Sequence, residues 1–280
     1  MRQCATTITN RVTPTDLLLL VAMAAAAGLI GSVTVMRRMA LASDAVSHVA
    51  LPGVAIAILL HVNPVLGGLA ALFLGSLLIW ALEHKTRLPT EAVIGVVFSA
   101  ALAIGSMLAS GEELFAALFG GAHAAGRIEL LFGLAASAVV IAYVMRARSR
   151  LVIALVSPEL ASASGIDVSQ TNLVFLLMFA LTVGLGLRFL GVLLMGSLII
   201  IPAVTATFLA HNLRTLQTAS VALAITSTLA GALLAPRLHV EQGPLIIVVA
   251  ASLFVVALVT RSVTRSARSG NIPGGGRELR

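Results

Sequence analysis

Between Arg11 and Arg37 the chain reads Leu17-Leu18-Leu19-Leu20-Val21-Ala22-Met23-Ala24-Ala25-Ala26-Ala27-Gly28-Leu29-Ile30-Gly31-Ser32-Val33-Thr34-Val35, a run without a single charge. As a helix it covers roughly 30 Å, the thickness of the hydrocarbon core of a bilayer. Runs of the same kind follow near Ala40–Leu60, Pro64–Leu82, Ala92–Ser110, Leu130–Val144, Leu173–Leu187, Leu190–Leu209, Leu216–Leu234 and Leu245–Val259. Lipid offers backbone groups no partners, so each run is read as a helix, and the runs are too long and too uniform for the strands of a closed barrel. The sequence therefore predicts an all-α integral membrane protein, a polytopic bundle of nine transmembrane helices, or eight if one run is re-entrant. Residues 1–16 form an extramembrane N-terminal segment, residues 17–260 the membrane domain, and residues 261–280 a basic, disordered tail.

Composition agrees. Of 280 residues, 59% are hydrophobic and 10% are charged, with a mean hydropathy of +1.07. A soluble domain would carry about a quarter charged residues. The net charge of +7 does not point to nucleic acid, because the basic residues stand singly or in short groups between apolar runs. That is the pattern by which membrane proteins orient themselves. With the Arg37/Arg38 turn in the cytoplasm and nine alternating spans, Lys85, Arg87, Arg146, Arg148, Arg150, Arg214 and the arginines from Arg261 onward share that side. Arg2, Arg11, Arg127, Arg188 and Arg237 fall on the other. Cys4 has no partner for an internal disulfide. The first apolar run has the length of a span and no small-residue cleavage site after it, so it reads as a membrane helix and not a leader.

Ionisable residues inside spans carry the functional information, because each costs about 2.5–3.5 kcal/mol at mid-membrane on insertion scales. Asp44 and His48, in Asp44-Ala45-Val46-Ser47-His48-Val49-Ala50-Leu51-Pro52-Gly53, are four apart and share one helix face, flanked by Ser47. Carboxylate and imidazole together suit a divalent transition metal. Pro52 removes one backbone hydrogen bond and kinks this span or frees a carbonyl beside the path. The alternative is structural: Asp44 paired with Arg38, and His48 satisfied by a hydroxyl of a neighbouring helix. Glu91 reads as a first-turn helix charge, Glu112, Glu113 and His123 as loop charges, and Met178 and Met195 as packing.

A second stretch, Ser157-Pro158-Glu159-Leu160-Ala161-Ser162-Ala163-Ser164-Gly165, spells a short capped helix. Ser157 is its cap, Pro158 its first residue, Glu159 its first turn and Gly165 its stop. Its small residues suit either close approach by a partner subunit or a plain interfacial connector. No Walker-type loop surrounds Lys85, the sole lysine, and no HExxH pair or serine elbow occurs. Catalysis by this chain alone is therefore not expected, and ATP, if used, is bound by another subunit.

Several segments together resemble the permease subunit of ABC-type zinc/manganese/iron importers. They are Met36-Arg37-Arg38-Met39-Ala40-Leu41, Asp44 to His48, Leu51-Pro52-Gly53, Ala92 to Ser99, Leu118-Phe119-Gly120, Glu159 to Ile166, Gly191 to Leu194, and Ile199-Ile200-Ile201-Pro202-Ala203-Val204-Thr205-Ala206. The resemblance covers about residues 17 to 260. It implies a homodimer in the bacterial cytoplasmic membrane, with cytoplasmic ATPase subunits and an extracytoplasmic metal-binding protein. It implies that Asp44 and His48 are transient ligands on a translocation path lined also by Ser47 and Pro52. Pro158, Glu159, Leu160, Ala161 and Gly165 would dock the ATPase. No permanently bound cofactor is implied; the divalent ion is cargo. Thr90-Glu91 stands where the family leads one to expect an Asp-Thr pair. The rival reading is a secondary transporter or exporter driven by an ion gradient, which predicts inverted repeats that the sequence does not display.

Overall fold

The computed structural model describes residues 14–86, 88–108, 126–187 and 189–269, and every regular element among them is helical. In chain order these are α1 (Pro14–Met36), α2 (Ala40–His48), α3 (Ala50–Leu59), α4 (Pro64–Thr86), α5 (Thr90–Leu108), α6 (Arg127–Val156), α7 (Pro158–Ala163), α8 (Val168–Gly186), α9 (Gly191–Leu209), α10 (Leu213–Leu238) and α11 (Gln242–Ser269). Residues 1–13, Glu112, Glu113, His123, the Leu118–Gly120 motif, Arg87, Arg188 and residues 270–280 lie outside the described residues.

Helix α1 is apolar on every side, and that decides its place. Its most apolar window is 72% buried, whereas that of α11 is 22% buried. A helix hydrophobic all round belongs in the middle of a membrane bundle, with lipid left to its neighbours. Accordingly α1 packs against α10, α6, α9 and α8, burying Leu20, Met23 and Ile30. The Ser220 hydroxyl of α10 donates to the Gly28 carbonyl of α1 at 2.7 Å. The outer helices expose Leu74, Leu78, Val96, Leu131, Phe132, Val255 and Val256, a surface that only lipid or another apolar chain would cover. Small residues allow close crossings: Gly53 of α3 and Gly67 of α4 face each other so that a Cβ on either would meet the other's carbonyl.

Seven described helices are long and apolar enough to cross a membrane, and the apolar stretches Asp44–Leu59 and Leu194–Leu209 are shorter. The nine sequence runs thus map onto these seven helices, the divided span α2–α3, and α9. Three local expectations need correction. Helix α6 continues to Val156, well past the run read near Leu130–Val144, so Arg146, Arg148 and Arg150 ride on the helix. Helix α11 continues to Ser269, through the first part of the stretch assigned to a disordered tail. Both corrections have one cause: helical hydrogen bonds are satisfied within the segment, so a helix need not end where the apolar residues do. Finally, the span at residues 40–60 is not one helix kinked at Pro52. It divides at Val49, where φ −62° and ψ −18° keep the backbone near helical and the amide bonds back to the Val46 carbonyl at 3.1 Å. Pro52 has no N–H to give to the carbonyl four residues earlier, that of His48, so the interruption falls one turn before the proline.

Candidate translocation site

Asp44 and His48 stand on the last turns of α2, between α5 and α9. His48 Nε2 lies 3.8 Å from Asp44 Oδ2, with the imidazole side chain 14% exposed and the carboxylate side chain 44% exposed. Two donors on one tetrahedral zinc sit roughly 3.3 Å apart, so this pair could share an ion after a shift of about half an ångström. The His48 ring leans on Phe98 of α5, centroids 5.7 Å apart. Its buried Nδ1 has no hydrogen-bond partner among the described residues. No neighbouring hydroxyl among the described residues satisfies that nitrogen, and the side chain that faces the Asp44 carboxylate within 4 Å is His48 and not Arg38.

The flanking residues are placed differently from the sequence expectation. Ser47 is fully buried and its hydroxyl donates to the Asp44 backbone carbonyl at 2.6 Å, so it braces α2 and does not face an open path. Pro52 lies one turn beyond His48, against α5 near Gly105. Glu91 sits exposed in the first turn of α5, as a helix-dipole charge should. Met195 is fully buried and Met178 packs on the core. Among the described residues no three His, Cys, Asp or Glu side chains converge. The chain's own described donors therefore offer a two-ligand grip and not a closed cage, an arrangement from which an ion can leave.

A second polar cluster escaped the sequence reading. Arg37 Nη1 donates to Asn172 Oδ1 at 2.7 Å, and Asn172 Nδ2 donates to Glu83 Oε2 at 2.7 Å. The Thr90 hydroxyl donates to Glu83 Oε1 at 2.7 Å. The guanidinium carbon stands 4.3 Å above the Phe175 ring. Burial lowers the Arg37 pKa below its usual value, with Tyr143 and Glu83 opposing. The chain of bonds fastens the ends of α1, α8, α4 and α5 around a cleft of about 630 Å³, where Trp80 Nε1 also donates to Ser169 Oγ at 3.0 Å. Its members are 89 and 135 residues apart, and only the presence of Glu83 and Arg37 at span ends hinted at it.

The short helix forms as its sequence predicts. Ser157 Oγ accepts from the Leu160 amide at 3.2 Å, Pro158 opens α7, and Gly165 stands at φ +72° just past its end. Glu159 is exposed and Leu160 is 62% exposed, but Ala161 is fully buried against the bundle. Ala161 is therefore an anchor and not part of any contact surface. The open surface is carried by Glu159 and Leu160 together with Ser162, Ala163, Ser164 and Gly165.

The ABC 3 transport family matches residues 12–261. The high-affinity zinc uptake system membrane protein ZnuB of Haemophilus influenzae is 29% identical over 238 residues, 83% of this chain and 91% of that protein. The manganese transport system membrane protein MntC of Halalkalibacterium halodurans is 29% identical over 235 residues, covering 82% of this chain and 80% of its own length. Among solved structures, PsaBC from Streptococcus pneumoniae in complex with Fab superposes with a TM-score of 0.74 at 25% identity, over 86% of this chain and 88% of that one. The match runs through both the broken span that carries Asp44 and His48 and the short helix α7. The chain is a member of the ABC 3 transport family.

Proposed function

We propose that this chain is the membrane-spanning permease subunit of an ATP-driven importer of a divalent transition metal, zinc, manganese or iron. It provides the path by alternating access. The observation that carries this reading is the two-donor grip of Asp44 and His48, with an unpartnered imidazole nitrogen, at the break of a short membrane helix. The similarity to zinc and manganese transport proteins supports the class of cargo.

In this reading two copies form a homodimer, two ATPase subunits bind at the cytoplasmic face, and an extracytoplasmic binding protein delivers the ion. Helix α7 is the cytoplasmic docking element, with Leu160 as its apolar contact and Glu159 as its charged one. The arginines near the end of α6 and on α11 support an inward orientation of that face.

Reconstituted complex in proteoliposomes tests the reading. Uptake of zinc, manganese or ferrous ion should require ATP and the binding protein, and should persist when ion gradients are collapsed. Uptake that follows a gradient and ignores ATP would replace this reading with the secondary-transporter one. Leu160→Arg should remove the ATPase from the purified complex; intact co-purification and normal transport would refute the docking role. A reporter inserted after Gly165 should read cytoplasmic.

A further inference from the structure

The face of α2 that carries Asp44 is pressed onto α9, and the residue it meets is Gly196. A Cβ at Gly196 would stand 2.5 Å from Asp44 Oδ1, 2.9 Å from Ser47 Oγ and 3.2 Å from Asp44 Cα. The first two separations cannot survive a real methyl group, and the third requires a shift of a few tenths of an ångström. The three atoms are not equally free to yield. Ser47 Oγ is held by its bond to the Asp44 carbonyl, and Asp44 Cα belongs to the helix backbone. The carboxylate is the group that would turn.

We propose that Gly196 is a positioning and selectivity residue. By presenting bare backbone to α2, it holds one carboxylate oxygen of Asp44 against α9 and turns the other, Oδ2, toward His48 Nε2. The gap between those two atoms, 3.8 Å, is the dimension that a bound ion feels. Zinc with a tetrahedral shell tolerates little change in that spacing, while ions with larger and more flexible oxygen-rich shells tolerate more. Gly196 therefore acts through Asp44 and sets which ion the pair grips. This inference rests on the proposed role of Asp44 and His48 as ligands on the path.

The test uses the complete transporter with Gly196→Ala, measuring uptake of zinc and of manganese at several concentrations, per assembled complex. The expected result is a rise of about tenfold in the apparent KM for at least one ion. The ratio of the two ions' uptake efficiencies should shift by at least about threefold, a change that looser packing alone would not produce. Gly95→Ala on α5, where an added Cβ meets nothing within 4 Å, should leave both ions unaffected. Wild-type kinetics, or an equal fall for both ions with the ratio unchanged, would overturn the proposal. If Gly196→Ala lowers assembly, Gly196→Ala/Asp44→Ala decides by its amount of assembled complex and its thermal midpoint. Recovery in the double variant shows that the methyl acts on the carboxylate, and no recovery overturns the proposal. Failure of the underlying reading has its own signature, near-wild-type uptake by His48→Ala. An inactive His48→Ala beside an unaltered Gly196→Ala removes only the role of Gly196.

Discussion

The two polar clusters of this bundle are built from similar residue types and finished to different degrees. Around Glu83 every carboxylate oxygen has a donor, Asn172 bridges two helices with both ends of its amide, and the Arg37 guanidinium adds an aromatic face while its buried Nε has no partner among the described residues. Around Asp44 one turn of one helix supplies both groups, the imidazole keeps a bare buried nitrogen, and the carboxylate is half exposed. Inside a low-dielectric bundle an incomplete set of partners is costly, and it persists where something else completes the set in use. The cluster around Glu83, bonded across several helices, fastens them. In the proposed reading, the Asp44–His48 pair is the one that cargo completes.

Breaking each cluster should therefore fail differently. Asp44→Ala should cut metal uptake about a hundredfold, the upper range for loss of a ligand or its support, while the complex assembles in near-normal amount. Blue-native electrophoresis beside isotope uptake checks both halves. Asn172→Ala removes the acceptor of Arg37 Nη1 and one of the two donors to Glu83 at once, and should cost about 1–3 kcal/mol of stability, read as a lower thermal midpoint and less folded complex. Uptake per surviving complex should stay within about threefold, on the order of 0.7 kcal/mol. Ser157→Ala removes the cap of α7 and should cost about 1 kcal/mol locally, seen as faster amide exchange in Pro158–Ala163 with the rest of the bundle unchanged. Thr90→Val deletes one of the donors to Glu83 and should cost the least, about 0.5–1.5 kcal/mol, with no effect on ion preference.

Hydropathy read the bundle well because the bilayer imposes a single length on every crossing segment, and Leu17–Val35 alone meets it. The same measure could not locate helix ends, since α6 and α11 run on past the apolar stretches on hydrogen bonds that lipid and water leave intact. The closeness of Asp44 and His48 was legible because i, i+4 spacing is a local property. The bracing of Ser47, the intrusion of Gly196 and the Arg37–Asn172–Glu83 bridge were not, because each depends on which helices become neighbours. Pro52 announced an interruption. Its position at Val49 followed only from tracing the missing donor back to the His48 carbonyl. The burial of Ala161 shows the same limit: a six-residue helix has an inner and an outer face, and small residues alone do not tell them apart.

The most direct measurement sets the two clusters side by side in reconstituted complex: ATP-driven uptake of the divalent ion, divided by assembled complex, for His48→Ala and for Asn172→Ala. The account predicts that His48→Ala assembles and transports about a hundredfold less, whereas Asn172→Ala assembles poorly yet transports within about threefold of wild type per complex. Near-wild-type uptake by His48→Ala, with the loss falling on Asn172→Ala instead, would contradict it.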